Sequence, residues 1–388
     1  MAGKIRTVIL ASAENPQEMK TWSGIPAHIG VALRDSGVEV IPSGPLKAKE
    51  PSYYRWLRSS YWHLGRGWFL AEVEPRILKQ RAVALRGLLA EGAAEAVLCI
   101  QPDALAAAAP AITTALVHDS TFALLLDYYQ PFTGLSQRSI RLGHHAYYQA
   151  LQHASVAIYS SAWAARSAVR DYGADPAKVH VVEFGANLEN PPLKEDVARF
   201  VESRLSAGEF RFLFIGVDWE RKGGDDAVLV VKELRKMGVR AFLDIVGCRM
   251  QGDADAREFC VEYGFLDKSK SGDREQLRGL FEAASFLLVP SRAECFGCVY
   301  CEANAYGLPS IGRDTGGVSQ VIRPGANGFL LSAHGQGVTE LAEQLMPYLL
   351  EADKYRKLAI SSRIEYEERL NWNRFVERTL RLLENARE

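Results

Sequence analysis

Residues 289–309 read Val289-Pro290-Ser291-Arg292-Ala293-Glu294-Cys295-Phe296-Gly297-Cys298-Val299-Tyr300-Cys301-Glu302-Ala303-Asn304-Ala305-Tyr306-Gly307-Leu308-Pro309, and their order decides the fold. The apolar run 286–290 predicts a buried strand that stops at Pro290. A loop follows, and a helix is expected to start near Phe296 or Gly297. In an open α/β sheet, ligands bind outside the carboxyl ends of the strands. A helix start there offers unpaired backbone N–H groups and a partial positive charge, both suited to an anion. Gly297 lets the backbone come close. Glu294 precedes the helix and Glu302 lies inside it. At about 1.5 Å per residue, eight positions span up to roughly 12 Å. A hydrolytic carboxylate pair needs about 5–9.5 Å. The wider spacing suits the two ends of one elongated ligand. Spacing alone fits two unrelated surface glutamates beside a capping loop equally well.

Outward from this segment, short apolar runs alternate with amphipathic ones. Strands are expected at 7–11, 38–42, 96–100, 114–118, 156–160 and 179–182, then at 211–216, 241–247, 286–290 and 309–312. Helices are expected at 26–36, 75–91, 139–152 and 162–172, then at 225–236, 274–284, 298–306 and 338–350. Strand–helix alternation implies parallel sheets covered on both faces. Two such sets predict two doubly wound α/β domains. Gly185, Asn190, Pro191 and Pro192 interrupt the periodicity and place the boundary near 184–196. The stretch 353–387 is charged and helical, without strands.

The 388 residues are long for one domain and natural for two. A net charge of −1 gives no global field for nucleic acid. No run approaches the roughly 20 apolar residues of a membrane span. The run 5–11 is shorter than most signal-peptide cores and reads better as a first buried strand. Six cysteines in so long a chain do not make a disulfide framework, which points to a reducing, cytoplasmic setting. Charge is uneven, however. Between 47 and 86 there are nine Lys/Arg against three Glu, a local +6. Tyr53, Tyr54, Arg55, Trp56, Arg58, Tyr61, Trp62, Arg66, Trp68 and Phe69 cluster in the same region. Residues 47–69 suit a peripheral contact with the inner membrane face or an anionic, lipid-linked acceptor. They suit a lid stacking on sugar rings as well, or a partly buried insertion with solvated arginines.

The quoted segment resembles the Glu-x7-Glu motif of retaining glycosyltransferase family 4. Glu294-Cys295-Phe296-Gly297, Glu302-Ala303, Gly307-Leu308-Pro309 and Gly316-Gly317 stand in the family's register. Phe214-Ile215-Gly216 followed by Glu220-Arg221-Lys222-Gly223 is similar to the family's first C-domain strand and diphosphate loop. Ser23-Gly24-Ile25-Pro26 looks like its N-terminal glycine loop, with one glycine where two are frequent. His118 stands at a strand end where the family has an active-site histidine; a lone His after an apolar run is more often structural.

The resemblance implies the GT-B fold, two Rossmann-like domains facing across a cleft. An acceptor domain would occupy 1–188 and a nucleotide-sugar donor domain 189–370, with the helix of 371–388 packing back on the first. It implies transfer of a sugar from a nucleoside diphosphate carrier to an acceptor hydroxyl, with retention and without metal or cofactor. Cell-surface polysaccharide or glycolipid assembly is the commonest family role. Carried over residue by residue, His118, Glu294 and Lys222 become catalytic. Gly24, Arg221, Phe296, Gly297 and Glu302 become donor-binding. Glu294 would orient the sugar, Glu302 would hold the ribose, and Lys222 would neutralise the leaving diphosphate. Two positions depart from the family: Val217 where an arginine is common, and Gln320 where many relatives carry a glutamate. Arg221 would supply the missing guanidinium.

Two rivals stand beside this reading. One is another GT-B sugar-nucleotide enzyme, an epimerase or a phosphorylase. The other takes Cys295, Cys298 and Cys301 as iron–sulfur or zinc ligands, although Glu302-Ala303 stands where a ferredoxin run needs its fourth Cys. No P-loop and no Gly-x-Gly-x-x-Gly follows a strand, so kinase and dinucleotide readings lack support.

Overall fold

The computed structural model describes residues 4–252, 254–333 and 337–387. The chain divides into two compact units, Met1–Glu183 with Trp372–Glu388, and Phe184–Asn371. In the first, β1 (Thr7–Ser12), β2 (Glu39–Pro45), β3 (Ala96–Ile100), β4 (Thr113–His118), β5 (Val156–Tyr159) and β6 (Val179–Val181) form one six-stranded sheet, ordered β2-β1-β3-β4-β5-β6. Every pairing in it is parallel. Its helices are α1 (Ile25–Asp35), α2 (Tyr53–His63), α3 (Pro75–Ala90), α4 (Phe122–Leu125), α5 (Gln137–His153) and α6 (Ala162–Tyr172). All five residues of β3 are buried, as a strand covered on both faces requires.

The second unit repeats the plan. Strands β7 (Phe210–Ile215), β8 (Ala241–Val246), β9 (Cys260–Gly264), β10 (Phe286–Leu288), β11 (Ser310–Arg313) and β12 (Gly328–Leu331) form a parallel sheet ordered β12-β11-β10-β7-β8-β9. Around it lie α7 (Lys194–Ser206), α8 (Gly224–Lys236), α9 (Ser271–Ala283), α10 (Cys298–Ala305), α11 (Val318–Val321), α12 (Val338–Leu350) and α13 (Ala352–Glu368). Phe212 and Phe286 stack across β7 and β10 with ring centroids 5.6 Å apart. The last helix, α14 (Trp372–Asn385), belongs to the first unit, where Glu384 accepts the Ile5 N–H and Arg378 pairs with Glu183 at 2.7 Å.

Strand order fixes where each unit can work. It reverses between β1 and β3 in the first sheet and between β7 and β10 in the second. Neighbouring loops part at such switch points and leave a crevice at the strands' carboxyl ends.

The expected two-domain α/β architecture is present; β9, β12, α2, α7 and the one-turn helices α4 and α11 were unforeseen. Strand β9 is an edge whose Val261 and Glu262 are exposed, so it lacks a continuous apolar run. Strand β12 has only four residues and opens on a glycine. Helices α2 and α7 carry mostly polar or mixed sequences, and α2 buries only Tyr54. Strand β10 stops at Leu288, two residues before Pro290, and the next helix starts at Cys298, as the expected helix 298–306 does, with Gly297 at its N-cap.

Helix α7 carries a buried Arg204, 3% exposed, whose guanidinium donates to the carbonyls of Phe281, Glu282, Tyr306 and Gly307 at 2.9–3.1 Å. It thereby ties the end of α9 to the turn after α10. Arg204→Ala strands these buried acceptors, so thermal unfolding should show a loss of about 3 kcal/mol or more. Arg204→Lys should not restore it, because an ammonium lacks the planar fork. A loss below about 1 kcal/mol would show the fork to be dispensable.

Candidate functional site

At the switch point of the second sheet, the loops after β7 and β10 touch. Gly223 adopts φ +74°, and a Cβ there would collide with the Pro290 carbonyl. Backbone therefore meets backbone, and any larger residue would push the loops apart. The Arg292 N–H donates to the Arg221 carbonyl at 2.8 Å, and the Arg221 guanidinium returns a bond to the Ala293 carbonyl at 3.1 Å. The stem of Lys222 lies over Gly216, and its ammonium donates to Glu294 Oε2. Arg221 Nη1 sits 3.9 Å from the same oxygen. Three of the residues expected at the site thus converge: Arg221, Lys222 and Glu294.

Gly297 follows with φ +90°, a left-handed conformation that favours glycine, and a Cβ there would strike the Tyr300 ring. Helix α10 starts on the next residue, without a side-chain cap from Gly297 and with no acid in its first turn. Its direction is set by Tyr300, whose hydroxyl donates to the Val289 carbonyl at 2.6 Å. The Asn304 side-chain Oδ1 accepts from Asn327 Nδ2 at 3.1 Å. Glu302, on this helix, is 4% exposed, and Glu294 is 8% exposed. Lys268 donates to both oxygens of Glu302 at 3.0 Å. Each carboxylate therefore has its own lysine. A partner is expected at such depth, because an unpaired buried charge costs several kcal/mol.

The Phe296 ring is buried and packs on Phe184 with centroids 5.4 Å apart, which wedges the loop before α10. The Cys301 thiol donates to the Phe184 carbonyl at 3.6 Å, and Cys295 is buried. Among the described residues, no three His, Cys, Asp or Glu side chains converge as a metal site would need.

Sequence reasoning missed Lys268. It stands just after β9, the unforeseen edge strand. Once 260–264 is read as a strand of a parallel sheet, Asp267-Lys268-Ser269-Lys270 becomes a strand-end loop, where ligand-facing residues are sought.

In the first unit, Trp22, Ser23 and Gly24 form three successive left-handed residues before α1, with φ 42°, 57° and 85°. Such strain clusters at functional sites. The Trp22 ring stacks on His118, with centroids 5.3 Å apart. The loop of Gly24 and the end of β4 therefore meet within this unit, through a tryptophan that sequence reasoning passed over. His118 Nδ1 lies 2.7 Å from the Ser120 carbonyl and 3.1 Å from the Ser120 N–H, so the backbone after β4 holds this edge of the ring.

Both sheets are arranged as in the GT-B glycosyltransferases. A sucrose-phosphate synthase from Thermosynechococcus elongatus matches with a TM-score of 0.64 at 17% identity, covering 98% of each chain. Anabaena HepE, solved in complex with UDP, matches at 0.63 and 16% identity, covering 98% of this chain and 100% of that one. Residues 198–364, inside the second unit, match the family described as Glycosyl transferases group 1. Among curated proteins, the D-inositol 3-phosphate glycosyltransferase of Nocardia farcinica is 30% identical over 221 residues, 55% of this chain and 49% of that protein. The protein of the same name from Streptomyces scabiei is 31% identical over 198 residues, 48% of this chain and 44% of that protein. The chain thus spans about half the length of the curated relatives it matches.

The Lys222–Glu294 pair can be tested without substrate. Lys222→Met and Glu294→Gln should each lower the melting temperature, and the double variant should lose less than their sum. A double-mutant cycle should give a coupling of about 1–3 kcal/mol. Strict additivity would mean that the pair is not formed in solution.

Proposed function

We propose that the chain is a retaining, metal-independent glycosyltransferase that moves a sugar from a nucleoside diphosphate carrier to an acceptor hydroxyl. In this reading it works in the cytoplasm, on cell-surface polysaccharide or glycolipid precursors. One observation carries the proposal: two nearly buried carboxylates, each held by a lysine, on the segment that begins α10. The glycosyltransferase names of the curated relatives and the UDP in the HepE structure support it.

The unit Phe184–Asn371 would hold the donor, and the other unit the acceptor. Glu294 would accept hydrogen bonds from the donor sugar, and Glu302 from the ribose. The diphosphate would lie at the start of α10, where backbone N–H groups favour an anion. To meet these ligands, each carboxylate shares or exchanges its lysine. Lys222 then turns to the diphosphate, beside Arg221. In the transfer step the bond from the anomeric carbon to the diphosphate oxygen breaks. A bond to the acceptor oxygen forms on the same face, and the acceptor's proton passes to the leaving phosphate. Cations fixed before the reaction stabilise the growing phosphate charge without reorganising.

A nucleotide that binds only the folded chain raises its melting temperature. UDP, GDP or ADP at millimolar concentration should do so, and a flat response to all three would contradict the donor site. With the donor identified, Lys222→Ala should lower kcat by roughly a hundredfold, while Glu302→Ala should act mainly on donor KM. A labelled donor should yield a glycoside of unchanged anomeric configuration. A free epimerised nucleotide sugar would mean an epimerase.

Helix α2 supports a second contact, with an anionic lipid surface. Tyr54 and Phe69 anchor it in a small core with Ala71 and Ile77. Trp56 and Trp62 remain 68% and 58% exposed. Lys47, Arg76 and Lys79 line an open groove in the same unit. Interfacial tryptophans beside basic side chains suit lipid headgroups. The protein should sediment with liposomes containing anionic lipid, less so in high salt, and Trp56→Ala with Trp62→Ala should weaken it. No sedimentation at any salt concentration would remove this contact.

A further inference from the structure

The first unit holds a cavity of about 410 Å³ at the carboxyl ends of β1, β3 and β4. Its volume falls within the roughly 300–1,000 Å³ of small-molecule sites. Leu70, Phe122 and Phe132 form an apolar side. Such a side suits the C–H face of a sugar or polyol ring.

The polar side carries an unusual balance. Glu14, Glu72 and Asp103 line the cavity against one guanidinium, that of Arg81. This guanidinium is already engaged, with Nη1 donating to Asp103 Oδ2 at 2.7 Å. Burial raises the proton affinity of Asp103, Arg81 and His118 oppose the rise, and Glu72 and Glu14 add to it, so the three acids act on one another. His118 also lines the cavity. Arg81 Nε, meanwhile, is buried and has no hydrogen-bond partner among the described residues. An unmet buried donor costs about 1–3 kcal/mol.

We propose that this cavity receives the acceptor and selects a neutral, polyhydroxylated ring over a phosphorylated one. Hydroxyls of the ring donate to the carboxylates. A phosphate ester would add negative charge to a wall of three carboxyl groups set against one guanidinium and one imidazole. Placing like charges against the wrong ligand is an effective means of discrimination. The curated relatives are named for D-inositol 3-phosphate, so the cavity predicts a departure from them.

The inference rests on the glycosyltransferase reading, and its test separates the two. With the donor found by thermal shift, initial rates are measured on neutral sugars and polyols, including inositol, and on their phosphate esters, including D-inositol 3-phosphate. Neutral members should exceed their own esters in kcat/KM by about tenfold or more. Glu14→Gln with Glu72→Gln, both exposed side chains, should narrow that gap severalfold by improving the esters. Leu125→Trp, which fills the cavity from its wall, should raise acceptor KM about tenfold. Esters used as well as or better than neutral rings would overturn the inference, as would a donor hydrolysed in water but passed to no neutral member. No response to any nucleotide and no donor turnover would overturn the glycosyltransferase reading instead.

Discussion

The second unit depends on backbone meeting backbone between the loops after β7 and β10. The Gly223 conformation against the Pro290 carbonyl leaves no room for a side chain. That closeness lets the Arg221 and Arg292 segments exchange hydrogen bonds, and it lets Lys222 reach Glu294 across the Cβ-less face of Gly216. The resulting site is electrostatic in character. Two cations and a helix start face a carboxylate at the switch point of a parallel sheet, where strand order opens a crevice. Buried charges of this kind do little for net stability and are better understood as prepared binding groups.

The support behind this site is local and directional. Arg204 fixes the turn at Tyr306 and Gly307, Tyr300 fixes the helix to Val289, and Asn304 with Asn327 fixes its far end. None of these side chains is offered to a ligand. They decide where the first turn of α10 points, and hence where an anion would sit. The first unit uses a different device: left-handed residues at Trp22 to Gly24, and again at Gln101 after β3. There the strained backbone brings an aromatic ring onto His118 and leaves a mixed polar and apolar cavity beside it.

Much of this was legible in the sequence because parallel strands buried on both faces are continuous apolar runs. Ala96–Ile100 and the segment leading to Pro290 announce themselves in that way. The Glu294–Glu302 spacing and the Gly297 helix start were readable for a similar reason: a short motif fixes its own local geometry. Elements that lack an apolar run were hidden. Strand β9 lies at an edge with exposed residues, and with it went Lys268, whose meaning appears only when the strand before it is known. Phe296 sits in the motif beside residues with chemistry, yet its ring goes to the core against Phe184; a one-dimensional pattern does not separate the two fates. The aromatic and basic stretch near 53–69 was read as one cluster, and the fold divides it, with Tyr54 and Phe69 inside and Trp56 and Trp62 outside.

The central claim is that one nucleoside diphosphate spans Glu294, the start of α10 and Glu302. The most direct measurement is a crystal structure of the protein with UDP, or with whichever nucleotide raises its melting temperature. The account predicts the terminal phosphate within about 3 Å of Lys222 Nζ and of backbone N–H groups at the start of α10, with both ribose hydroxyls on Glu302. A nucleotide bound elsewhere, with Lys222 still on Glu294 and Lys268 still on Glu302, would contradict it.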